Sequence, residues 1–231
     1  MRLDPLHALL RLIYPTLCPA CGINAPLPRH LFCLDCVDEL PETGFHRHAE
    51  NPFTRHFDGR VPIRTGAAFL FFTRGGHTQR LLHRIKYAHQ PEVALQLGRW
   101  YGRQLVVSPH WTGIDAIIPV PLSRRRQHQR GYNQSERFAR GIADVIGCPC
   151  MPDALRRVSF KRSLTGMGRI DRIKAIQSAF VLGDPAPLQG KHILLVDDVL
   201  TTGATLEACA LHVLTAHPAS LRLATIAMGE L

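Results

Sequence analysis

No run of apolar residues in this chain of 231 residues reaches the roughly 20 needed to cross a bilayer, and no stretch has the shape of a cleavable signal. Both absences point to a cytoplasmic protein without membrane insertion. Acidic side chains are scarce, 18 against 28 lysines and arginines, and the formal net charge is +10. That balance favours polyanions: phosphates, pyrophosphate or nucleic acid. There is no glycine-rich dinucleotide fingerprint, no Walker A motif, no internal repeat and no low-complexity tract. The cysteine count is odd, seven, which without a signal argues against a disulfide framework.

What is present is globular. The hydrophobic fraction is 45%, and the length allows one ordinary domain plus a small appendage. Residues 1–58 form the appendage and residues 59–231 the domain. The first segment is rich in proline (Pro15, Pro19, Pro26, Pro28, Pro41, Pro52), so only short elements are expected there, apart from an amphipathic helix carrying Leu3, Leu6, Leu9, Leu10 and Ile13. Beyond Gly59 strands and helices alternate. Ala67–Thr73, Ile114–Val120, Ile193–Val196 and Leu221–Met228 read as buried strands. Thr78–Tyr87, Pro91–Val107, Gln134–Ile146 and Thr205–Ala216 carry apolar residues at helical spacing. Such alternation predicts an α/β fold with a mainly parallel sheet flanked by helices, and in that architecture ligands sit beyond the carboxyl ends of the strands.

The richest segment is Ile193-Leu-Leu-Val-Asp-Asp-Val-Leu-Thr-Thr-Gly-Ala-Thr205. Four apolar residues make a central strand. Asp197 and Asp198 emerge at its carboxyl end. Thr201, Thr202, Gly203, Ala204 and Thr205 then open a helix, where backbone N–H groups and hydroxyls make an anion cradle. One dianionic end and hydroxyls that donate to carboxylates are the pattern of a sugar phosphate. The plainer alternative is a threonine that only caps the helix, which would need one hydroxyl and no acidic pair.

A second stretch, Pro119–Gln134, sets four arginines in a short loop after a proline-rich turn. Their forked donors suit pyrophosphate, although a nucleic-acid backbone would be served as well. A third stretch, Arg157–Phe180, is basic, contains glycine and is read as a flap over the site.

The segment Ile193–Thr205 resembles the signature of the type I phosphoribosyltransferases. That resemblance implies that Asp197 and Asp198 hold the ribose hydroxyls and act in catalysis. It also implies that Thr201, Thr202, Gly203, Ala204 and Thr205 hold the 5′-phosphate of 5-phosphoribosyl-1-pyrophosphate, with Mg²⁺ entering on that donor. Pro119–Leu122, Arg126 and Arg130–Gln134 are similar to the ComF family of competence proteins, as are Leu82–Tyr87 and Leu155–Val158. Thr165, Gly166, Arg169, Arg172, Ala179 and Phe180 follow the same family's intervening segment. Lys86, Arg126 and Arg130 become pyrophosphate contacts on this resemblance. Lys161, Leu164 and Ala175 depart from polar positions common in that family. The implied activity is transfer of phosphoribose to an acceptor with release of pyrophosphate. A second reading is a non-catalytic module for ribose phosphate or single-stranded DNA, working with competence proteins in DNA uptake. The acceptor is not legible, and a cap element, here the cysteine segment and its neighbours, is expected to set it.

Cys18-Pro-Ala-Cys21 and Cys33-Leu-Asp-Cys36 have the spacing of two metal knuckles. Four thiolates complete a closed tetrahedral Zn²⁺ site of structural kind. Redox chemistry at a single pair is the rival reading. Cys148, Cys150 and Cys209 are expected in core or loop, and His46, His48 and His56 on the surface.

Overall fold

A computed structural model describes residues 17–26, 31–87, 90–158 and 178–229. The expected helix near the N-terminus lies outside these residues. So do Lys161, Leu164, Ala175 and most of the Arg157–Phe180 stretch.

Four parallel strands form the central sheet: β1 (Thr65–Phe72), β2 (Ala116–Pro119), β5 (His192–Leu200) and β6 (Ser220–Gly229), in the order β1-β6-β5-β2. A short antiparallel pair, β3 (Leu155–Arg157) and β4 (Phe180–Leu182), stands apart from it. Side chains alternate between two apolar layers, as the two-residue period of a strand requires. Ala67, Phe69, Ile117, Leu194 and Val196 enter one layer, and Ala68, Ile118, Ile193 and Leu195 the other. Helices α3 (His77–Tyr87), α4 (Pro91–Val106) and α6 (Gln134–Ile146) cover the first layer, and α7 (Ala204–Leu214) the second.

Helices α4 and α6 approach closely because glycines face each other at the crossing. A Cβ added at Gly98 would lie 2.1 Å from the Phe138 carbonyl, and one at Gly141 2.1 Å from that of Leu95. Beside the crossing, Arg99 donates to Asp144 from Nε at 3.0 Å and Nη2 at 2.7 Å.

Among the described residues, the segment before Asp58 holds α1 (Leu34–Glu39), α2 (Pro52–Arg55), a short 3-10 helix (Phe45–Arg47) and turns. It is nevertheless wired into the sheet. Phe71 N–H donates to the Pro41 carbonyl at 2.8 Å and Thr43 N–H to that of Phe69 at 3.0 Å, so this segment covers the edge of β1. Buried Asn51 caps α2 through its side-chain oxygen and donates through Nδ2 to the Gly66 carbonyl at 2.9 Å.

Three expectations are corrected. The basic stretch is not a plain loop, because it contains α5 (Arg124–Arg130), started by the Ser123 hydroxyl and ended by Gly131 at φ 75°. The helix buries none of its side chains, so its sequence carries no apolar period. Second, β5 runs past Val196 to Leu200, so the acidic pair lies inside a strand. Third, His46 is buried and His56 half-buried, and only His48 is a surface residue. His46 is enclosed against Tyr101, and burial holds its imidazole below the usual range. Among the described residues no helix is long and apolar enough to cross a membrane.

Candidate functional site

Unequal strand length creates the site. β2 stops at Pro119, and the last ladder bond on that side runs from Val120 N–H to the Val196 carbonyl at 2.8 Å. Pro121 has no N–H to continue the ladder. β5 continues, and Asp197 pairs only with Thr225 of β6. The start of α6 closes the vacant flank. Asn133 donates to the Val120 carbonyl at 3.0 Å and accepts from Ser135 N–H at 3.0 Å, which fixes the helix end against the end of β2.

The acidic pair is held from that helix end. Ser135 Oγ donates to Asp197 Oδ1 at 3.0 Å, and Gln134 Nε2 to Asp198 Oδ2 at 2.8 Å. Lys86 Nζ, at the end of α3, lies 2.9 Å from the same Asp198 oxygen. The Tyr132 hydroxyl donates to the Ile85 carbonyl and so moors that end of α3. Burial, and then the charge of Asp198, push the carboxyl of Asp197 up to about 7, against the pull of Ser135 and Lys86.

The threonine loop follows. Gly203 is buried, takes φ +71° and serves as the N-cap of α7, with no side chain capping the helix. The reading in which a threonine merely caps α7 is therefore not what is observed. The first N–H groups of α7 have no partner within the helix and stay available to an anion. The loop borders a cavity of 240 Å³ that is also lined by Lys86, Arg126, Arg130 and Asp198. Thus the structure brings together Asp197, Asp198, Thr201, Thr202, Gly203, Ala204, Thr205, Lys86, Arg126 and Arg130, all on one cavity wall.

Residues given no role at the site from the sequence complete it. Gln134 lines the cavity and its Oε1 is buried without a hydrogen-bond partner. Arg157 also lines it, stacked 5.2 Å from the Phe180 ring centroid. Burial and the neighbouring Arg126 charge lower its guanidinium pKa, so two cations face one space. Behind the loop, His56 Nε2 donates to the Thr202 carbonyl at 3.1 Å and Arg60 Nη2 to the same oxygen at 3.3 Å. Arg60 Nε also donates to Glu207 at 3.0 Å on α7. A Cβ at Gly203 would lie 2.7 Å from His56 Nε2, so glycine lets this clamp close. The only sequence signal for the clamp was the histidine itself, and nothing local tied it to a loop about 146 residues away.

Cys18, Cys21, Cys33 and Cys36 form the second cluster, their sulfur atoms all within 4.8 Å of one another. Cys21 Sγ and Cys33 Sγ are 3.8 Å apart, the edge expected of a tetrahedron with metal–sulfur bonds of about 2.3 Å and far beyond a disulfide. Ile23 N–H donates to Cys21 Sγ at 3.4 Å, which steadies a thiolate ligand. The cluster can hold a metal ion. It packs through Phe32 on Trp100 of α4, ring centroids 5.7 Å apart. Cys209 is buried, while Cys148 and Cys150 are half-buried, their thiols pushed up to about 11 by burial.

A family model described as "Phosphoribosyl transferase domain" matches residues 133–230. The DNA utilization protein YhgH of Salmonella typhi is 31% identical over 201 residues, which cover 84% of this chain and 76% of that protein. Competence protein F of Haemophilus influenzae is 36% identical over 94 residues, 40% of this chain and 41% of its own. Among solved structures, one titled "Structure of the allosteric regulatory enzyme of purine biosynthesis" aligns with TM-score 0.44 and 16% identity, over 62% of this chain and 30% of that chain.

Proposed function

The chain belongs to the ComF family and carries its phosphoribosyltransferase-type domain, and from that premise we propose that it binds 5-phosphoribosyl-1-pyrophosphate with Mg²⁺ and transfers phosphoribose to an acceptor. The observation that carries this is one cavity with an uncapped helix start, an adjoining acidic pair and several cationic side chains. The loop takes the 5′-phosphate. Asp197 and Asp198 accept from the ribose hydroxyls. Arg126, Arg130 and Lys86 neutralise the pyrophosphate, for which Lys86 leaves its contact with Asp198.

The oxygen donors Asp197, Asp198 and the unpartnered Gln134 Oε1 suit a hard cation that keeps several waters and binds mostly through substrate oxygens. When bound, Mg²⁺ would supply charge neutralisation at the leaving group. In the transfer the C1–O bond breaks with its electron pair leaving on pyrophosphate. The acceptor's lone pair forms the new bond to C1, and the acceptor loses its proton to solvent. The protein's share is to orient the sugar and to stabilise charge. The cysteine cluster holds Zn²⁺ and braces the N-terminal segment.

A second reading, single-stranded DNA binding, is favoured by a further cavity lined by Lys86, Tyr87, Arg126, Gln129 and Arg130, where the Arg130 guanidinium lies 5.6 Å from the Tyr87 ring centroid. Asp198→Asn separates the two. Calorimetry should find donor binding abolished and oligonucleotide binding within about twofold of the parent, because a carboxylate repels a phosphate chain. Unchanged donor affinity would overturn the first reading. A pyrophosphate-release assay with nucleobases, ammonia, glutamine and water then tests turnover.

A further inference from the structure

The threonine loop is supported from behind by residues that lie ahead of β1. His56 ends α2, whose start is capped by Asn51, and its backbone N–H donates to the Pro52 carbonyl at 3.3 Å. The imidazole stands edge-on to buried Phe57, ring centroids 5.3 Å apart, and the Arg60 guanidinium lies 5.8 Å from the centroid of the same phenyl ring. Arg60 Nη1 donates to the His56 carbonyl at 3.1 Å, which ties the two residues together. Both side chains meet one atom, the Thr202 carbonyl oxygen. A carbonyl only accepts, so His56 Nε2 carries the ring proton. Arg60 also pairs with Glu207 in the first turn of α7.

We propose that His56 and Arg60 are positioning residues for the phosphate loop: by holding the Thr202 carbonyl they aim and strengthen the Gly203 N–H as a donor to the 5′-phosphate. The inference rests on the phosphate site proposed above. The Thr202 oxygen and the Gly203 N–H belong to one planar trans peptide, so they point in opposite directions. With the oxygen fixed on the clamp, the N–H faces away from it, on a residue that lines the phosphate cavity. Among the described residues this N–H donates to no other group. Two donors on the oxygen polarise the peptide and make its N–H a better donor, where the start of α7 already favours negative charge. The ion pair acts in the same direction. The Glu207 carboxylate would repel an anion at that helix start, and the Arg60 charge offsets it. Neither His56 nor Arg60 lines the cavity, so both act through the loop.

The test is ribose 5-phosphate calorimetry on the full chain, with the Gly203 amide proton followed by NMR in the ligand-free protein. His56→Leu keeps a side chain of similar size without the donor. It should weaken ribose 5-phosphate binding about five-fold, the scale of one hydrogen bond, and shift the Gly203 amide proton upfield. His56→Gln, whose amide can donate to the same oxygen, should bring affinity to within about twofold of the parent and return the amide proton towards its parent position. Arg60→Ala with Glu207→Gln should bind ribose 5-phosphate at least about twofold tighter than Arg60→Ala alone, because the uncompensated like charge is gone. A His56→Leu protein that binds like the parent, a loss that His56→Gln does not repair, or an amide proton that stays in place would overturn the inference while the phosphate site stands. No gain from Glu207→Gln would overturn the electrostatic share given to Arg60. A parent protein that fails to bind ribose 5-phosphate would overturn the phosphate site and this inference with it.

Discussion

Asp197 is a site residue whose chemistry depends on its surroundings. Its carboxyl is raised from 3.8 to about 7, first by burial and then by the Asp198 charge. The folded chain therefore holds a proton that the unfolded chain has lost across that window. This contribution to stability is fully present below pH 3.8 and is lost as pH rises through about 7. Ribose hydroxyls prefer the ionised form, so affinity for ribose 5-phosphate should rise through neutral pH. Ser135→Ala removes a hydrogen bond that holds the pKa down and should move the midpoint of that rise to higher pH. The ligand's own ionisation is common to both proteins and cancels in the comparison. An unmoved midpoint would separate Ser135 from the titration. Behind the loop, Arg60→Ala removes the donors to Thr202 and Glu207. Ribose 5-phosphate affinity should fall roughly five-fold, with oligonucleotide affinity unchanged, the scale of one ordinary hydrogen bond of about 1 kcal/mol. Calorimetry with both ligands checks it.

At the scale of elements, the strands and long helices were legible because both layers of the sheet demand apolar periods. Helix α6 spans Gln134–Ile146, the same bounds its pattern implies, because Asn133 caps it and Gly147 ends it at φ 80°. Helix α5 was not legible, since a helix that buries nothing needs no period. Nor was the crossing of α4 and α6 legible, because Gly98 and Gly141 are small without stating what they touch. Gly141→Ala drives a methyl into the Leu95 carbonyl and should destabilise the fold by about 3 kcal/mol, read as a lower urea midpoint at constant slope. A neutral effect would mean that the two helices can separate cheaply.

For the molecule as a whole, the cysteine cluster joins a segment with few elements of its own to the face of α3 and α4. Arg84 reaches Gly22, and Phe32 lies on Trp100. A metal bound there should contribute folding energy directly. Purified protein should contain about one zinc ion per chain, and Cys33→Ser or a strong chelator should lower the thermal midpoint by several degrees. A protein that loses its metal without any shift would sever the cluster from stability. The net charge of +10 adds a separate expectation, that any oligonucleotide affinity falls steeply with salt.

By itself the sequence determined the alternation of strands and helices, the acidic pair with its threonine loop, and the four cysteines. Each of these is a local pattern in which a period or a spacing carries the physics. Tertiary structure alone decided what faces that loop. Lys86, Gln134 and Arg157 come from three separate parts of the chain, and the fold puts them around one cavity with Asp197 and Asp198, while His56, from a fourth, stands behind the threonine loop. The raised carboxyl of Asp197 belongs to the same class, because burial and a neighbouring charge exist only once the chain has folded.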